Sequence, residues 1–149
     1  MKTKPLFTLA FILIVSFSSL FAQNADYDLV VSVFTKGTYK IWEYKLNYKS
    51  VTVTRFSTNG DAPEVVFEKR ISMNEGPVFD ELLGDFPYET VKDKYINPEV
   101  EGENHYEITV RHQHKSKQVY VYFEYPSELK ILIDALNTLL PENYQLVFE

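Results

Sequence analysis

The hydrophobic positions change rhythm three times along the chain, and each change predicts a different element. Residues 28–35 (DLVVSVFT) are apolar or β-branched on both parities, which predicts a strand with both faces at least partly covered. Lys36-Gly37 is a turn signal. Residues 38–46 (TYKIWEYKL) then alternate, with Trp42, Tyr44 and Leu46 on one side and Ile41, Glu43 and Lys45 on the other. VTVTRF (51–56) and EVVFEKR (64–70) predict two more strands, separated by the turn signal Asn59-Gly60-Asp61. The opening half therefore predicts an antiparallel meander of short-linked strands.

The period then becomes helical at Val78/Phe79, Leu82, Leu83 and Phe86. Ser72 and Glu75 have the spacing of a capping box, whereas Gly76-Pro77 would start the helix at Pro77. Residues 86–104 (FPYETVKDKYINPEVEGEN) are the least regular, with a short helical turn expected around 89–95. A connection of this length with little structure of its own is often functional. Alternation returns in 106–114 and 118–125, which predicts a hairpin turning at Lys115-Ser116-Lys117. Its core face would carry Ile108, Val110, Val119, Val121 and Phe123. Its solvated face would carry Glu107, Thr109, Arg111, Tyr120, Tyr122 and Glu124. Leu129, Leu132, Ile133, Leu136, Leu139 and Leu140 form one stripe of a final helix that starts at Pro126 and ends at Pro141, with 144–148 returning as a short strand. Strands cluster and helices do not alternate with them. The fold class expected is α+β: an antiparallel sheet, made of the meander plus the C-terminal hairpin, with two helices packed on one face.

The N-terminal segment stands outside that pattern. Lys2 and Lys4 precede an apolar run from Leu6 to Val15 and a Ser-rich stretch ending at Phe21-Ala22-Gln23, the order of a secretory signal. The run is short for a membrane span, which needs about 20 apolar residues. The expected organisation is a signal peptide over 1–22 and a single domain over 23–149, exported to the periplasm or the cell exterior, with no membrane span in the mature chain. Composition sharpens this. The whole chain carries a formal charge of −6, and the signal takes away two lysines and no acid, so the mature domain is more acidic still. An acidic domain is a poor match for nucleic acid, whose phosphates call for a cationic face. There is no cysteine, which removes disulfides, thiolate metal sites, thiol nucleophiles and lipid-modified cysteines together. An exported domain without disulfides must be held by its core alone. The signal also removes Phe7, Phe11, Phe17 and Phe21 but no tyrosine, so the mature aromatic content is dominated by tyrosine.

Chemistry is harder to find. His112 and His114 would share one face of a regular strand, as a metal-chelating pair does, but a site needs a third ligand and His105 falls on the opposite parity. Glu99, Glu101 and Glu103 lack the spacing of a calcium loop. No serine sits in a Gly-x-Ser-x-Gly elbow, no glycine-rich phosphate loop is present, and no pair of acids is marked as opposed. No catalytic residue and no cofactor is implied, and a small hydrolase would need a site that spacing does not reveal. The positive feature is aromatic. Tyr120 and Tyr122 lie on the face of their strand that the core does not claim, and with Trp42 they are the candidate binding residues for a protein or glycan partner.

Phe21-Ala22-Gln23, Lys92-Asp93-Lys94-Tyr95-Ile96-Asn97-Pro98-Glu99-Val100 and Leu139-Leu140-Pro141-Glu142-Asn143-Tyr144-Gln145-Leu146 resemble segments of small exported proteins of unknown function from Bacteroidota. That resemblance implies an exported single domain and carries no activity, ligand or site residue. The expected function is a non-enzymatic binding module that uses its aromatic sheet face or the 86–104 loop. The alternatives are a metal-binding protein using His112 and His114, and a small hydrolase.

Overall fold

The computed structural model describes residues 26–35, 39–100 and 104–147; the expected signal segment lies outside them. The strands are β1 (Tyr27–Thr35), β2 (Lys40–Asn47), β3 (Ser50–Arg55), β4 (Glu64–Arg70), β5 (Lys94–Ile96), β6 (Asn104–His112) and β7 (Lys115–Tyr122). The helices are α1 (Glu75–Gly84) and α2 (Ser127–Asn137), followed by a 3₁₀ turn at Glu142–Tyr144. The strands form one sheet in the order β4-β3-β2-β1-β6-β7-β5. Every pair is antiparallel except β5 with β7, so the sheet is largely antiparallel and, at that edge, mixed. The largely antiparallel sheet with two helices agrees with the expected class, and the parallel β5–β7 edge departs from the all-antiparallel sheet expected.

β1 is the central strand, paired with β2 on one side and β6 on the other. Its register sets Leu29 between Leu46 and Val110, Val31 between Tyr44 and Ile108, and Val33 between Trp42 and Tyr106. Those positions, with Val51, Val53, Val119, Val121 and Tyr95, define the inner face and are buried, apart from the half-buried Trp42. Phe79 and Leu83 of α1 and Leu129, Leu132, Ile133 and Leu136 of α2 belong to the same core cluster. Burial of these side chains is the main stabilising term in a chain with no cross-link.

α1 begins with the capping box. The Ser72 N–H donates to Glu75 Oε2 at 2.9 Å, and the Glu75 N–H donates to Ser72 Oγ at 3.3 Å. Lys69 on β4 adds an ion pair to Glu75 at 2.6 Å. The Lys69 ammonium first, then the Ser72 N–H and hydroxyl, pull the Glu75 carboxyl down from 4.5 to about 2. A carboxylate whose pKa is lowered by folding stabilises the fold fully above its unfolded value. That contribution disappears as pH falls from about 4.5 towards 2. Denaturant midpoints of wild type and Glu75→Gln, taken across acid pH, should therefore differ at neutral pH and converge near pH 2. A constant difference would contradict the ion pair.

Four elements depart from the sequence pattern. The hairpin turns at Gln113-His114, two residues earlier than expected, with Gln113 in the left-handed region (φ 53) and Lys115–Lys117 already in β7. The inward alternation of Ile108 and Val110 opposite Val119 and Lys117 sets that register. Phe123 is not a core strand residue: its φ of 59 ends β7 and turns the chain towards α2. In 86–104 the expected helical turn is a single one at 88–90, closed by the Val91 N–H donating to the Pro87 carbonyl at 3.1 Å, and the chain then leads into the short strand β5 rather than continuing to 95 as a turn. The final strand over 144–148 does not form within the described residues. Instead the Asn137 carboxamide takes the place of a strand partner, donating to the Leu146 carbonyl at 2.7 Å and accepting from the Leu146 N–H at 2.8 Å. α2 accordingly stops at Asn137, well before Pro141.

Candidate functional site

The outer face of the sheet carries an aromatic row. Phe34 on β1, His105 on β6 and Tyr122 on β7 stand on three adjacent strands. The Phe34 and His105 ring centres lie 5.1 Å apart at an interplanar angle of 10°, and those of His105 and Tyr122 lie 4.7 Å apart at 8°. The rings are therefore stacked face to face, and their broad faces are largely spent on one another. Lys40 extends the row onto β2, its Nζ lying 5.9 Å from the Phe34 ring and 5.3 Å from the Phe56 ring, while it pairs with Glu43 at 2.6 Å. Beyond Tyr122, β5 pairs Ile96 with Tyr122 and Lys94 with Tyr120, and the Lys94 Nζ sits 5.9 Å from the Tyr120 ring. Ile96 is 50% exposed and Val100, further along the same segment, 45%. Burial between the two rings, only partly offset by Glu107, lowers the His105 pKa. The imidazole is accordingly neutral at neutral pH.

The sequence-predicted binding residues do not all meet. Tyr120 and Tyr122 share the outer face, half-buried among their neighbours. Trp42 is on the inner face: it is registered to Val33 and its ring lies 6.3 Å from that of Tyr144, from the C-terminal segment. The sequence missed Phe34 and His105. The available signals were the apolar residues on both parities of β1 and the odd separation of His105 from His112. That parity does put the two histidines on opposite faces, but neither signal says that β1 and β6 are neighbours.

The pair His112 and His114 separates for a different reason. With the turn at Gln113-His114, His114 leaves the strand and is exposed, whereas His112 faces inward with its side chain 14% exposed. His112 Nε2 lies 2.9 Å from Asp80 Oδ1 on α1, and its ring lies against Gly84, where an added Cβ would come within 3.3 Å. The Asp80 contact and the absence of a side chain at Gly84 let the end of α1 settle on the end of β6. Beside them, burial and the Asp80 charge push the Tyr27 phenol up to about 12, and its hydroxyl has no hydrogen-bond partner among the described residues. Among the described residues no group of three or more His, Asp or Glu could hold a metal ion.

The segment after α1 is anchored, not loose. The Tyr88 hydroxyl donates to the Leu83 carbonyl at 2.8 Å, Phe86 and Tyr88 meet edge to face at 5.1 Å, and Val91 and Tyr95 are buried. Between these anchors Glu89, Thr90 and residues 92–94 are exposed, and residues 96–100 are exposed apart from the half-buried Asn97. A separate open cavity of about 340 Å³ lies at the β3–β4 connection, lined by Arg55, Phe56, Ser57, Asp61 and Glu64 among others, with Arg55 and Glu64 paired at 2.6 Å. Its lining is polar and mostly exposed, which makes it a weak candidate beside the aromatic row.

No family model matches the chain, and no curated protein matches it. No described helix is long and apolar enough to cross a membrane.

Proposed function

We propose that the protein is an exported, non-enzymatic module that binds a protein partner on the outer face of its sheet, centred on Tyr122 and Ile96. The observation that carries this reading is the Phe34–His105–Tyr122 stack, a rigid aromatic row that stands away from the core and runs up to an exposed isoleucine. In this reading both helices cover the inner face alone. Support comes from the core cluster, in which the helix residues join the inner-face strand residues. The outer face is then left without a second layer.

A protein partner fits better than a glycan. Sugars dock on the broad, open face of an aromatic ring, and these rings turn their faces to each other. What remains is the outward edges of the stacked rings, the second face of Tyr122, Tyr120 beside Lys94, and the apolar Ile96 and Val100, a mixture typical of protein contacts. The two sequence features named as binding candidates, the sheet face and the 86–104 segment, become one surface here, because β5 lays Ile96 beside Tyr122.

The double variant Tyr120→Ala/Tyr122→Ala tests the assignment. Its unfolding midpoint should stay close to wild type, while the partner retained from envelope extract falls by about tenfold or more, the effect expected of aromatic anchors. Retained capture would remove these residues from the site. Global loss of folding would show that they are packing residues.

A further inference from the structure

We propose that Asn59 is a site of spontaneous covalent modification, at which the folded protein converts asparagine to aspartate and isoaspartate. Three observations converge on this one position. Asn59 is the asparagine followed by glycine, and both residues are exposed in the β3–β4 connection. Gly60 has no side chain to shield its nitrogen, its φ is +86°, and nothing lies within 4 Å of where a Cβ would stand. Finally, the Gly60 N–H and the Asn59 carboxamide make no hydrogen bond among the described residues, whereas the Asn59 N–H is held by Ser57 Oγ at 3.1 Å and Ser57 Oγ in turn by Asp61 Oδ2 at 3.1 Å. The backbone entering the site is fixed while the two reacting groups are free.

The reaction balances with water alone. A solvent base removes the Gly60 amide proton, and the nitrogen attacks Cγ of Asn59. The tetrahedral adduct breaks its bond to the side-chain nitrogen and releases ammonia, leaving a five-membered succinimide. Water then opens the ring at either carbonyl: one opening gives aspartate, the other isoaspartate with the chain routed through the side chain. Because the deprotonated nitrogen attacks, the rate rises with pH. The product adds a negative charge to a connection that already holds Asp61 and Glu64 beside the 340 Å³ cavity.

Other asparagines supply internal controls. Asn47 Oδ1 accepts from the N–H groups of Lys49 and Ser50, and Asn137 is clamped to Leu146. Asn97 precedes Pro98, which has no N–H to attack with.

The test is to incubate the purified folded protein in mildly alkaline buffer and follow the tryptic fragment spanning residues 56–69 by mass spectrometry and by chromatography that separates the two isomers. The fragment should gain the mass of an amide-to-acid exchange and split into two products, with fragments carrying Asn47 and Asn97 unchanged. Asn59→Gln should abolish the change. The urea-unfolded chain should convert no more than about tenfold faster, since opening costs little in an exposed loop. An unchanged fragment, or a folded-state rate slower than that bound, would overturn the proposal.

Discussion

Leu136→Ala should cost about 3–5 kcal/mol and lower the melting temperature by roughly 10 °C or more. Leu136 is fully buried at the C-terminal end of the α2 stripe, in one cluster with the inner face of the sheet. Removing its isobutyl group takes away the transfer free energy of the missing carbons and leaves a cavity that a rigid sheet cannot close. Against a total stability of about 5–15 kcal/mol, this is a large share, and no disulfide is present to offset it. Ile131, on the same helix, is 56% exposed, and Ile131→Ala should stay within about 1 kcal/mol. Urea midpoints of the two variants check the claim; equal losses would contradict the orientation of α2.

Tyr88→Ala should come next, at about 3 kcal/mol or more, and its effect should be local as well as global. Tyr88 ties the segment after α1 back onto the helix end through the Leu83 carbonyl and the edge of Phe86. β5 has only three residues and pairs with β7, so it holds its place because Tyr88 and Val91 anchor the chain before it and Tyr95 buries its middle. Tyr88→Phe should lose only the hydrogen bond, about 1 kcal/mol. Hydrogen exchange should show the amides of residues 94–96 losing protection in Tyr88→Ala ahead of those in β1. Protection lost uniformly across the sheet would mean that the anchor is not local.

What the sequence made legible follows from the range over which each signal acts. Alternation and helical spacing are local, so the meander, both helices and the outward parity of Tyr120 and Tyr122 could be read directly. β4 runs over 64–70 as expected, and the Ser72–Glu75 capping box closes as its spacing predicts. β5 could not be read, because three residues carry no period and its strand character comes from β7. The replacement of a final strand by the Asn137 clamp is equally non-local: one side chain satisfies a backbone nine residues on. The same limit applied to the site. Tyr122 was visible as an outward aromatic, but its stacking partners come from β1 and β6, strands far apart in sequence and brought together by the crossover. Trp42 was visible as a large aromatic on an alternating strand. Which side would be inner was settled only by its register with Val33.

The outer face, at Tyr122 and Ile96, is the surface proposed to meet the partner. The most direct measurement is photo-cross-linking in the cells that make it, with a light-activated residue placed at Tyr122 in one variant and at Ile131, on the exposed side of α2, in another. A discrete heavier adduct from position 122 and none from position 131 is the predicted result. An adduct from position 131 alone, or none from position 122 in protein that is folded and exported, would rule out the Tyr122 surface.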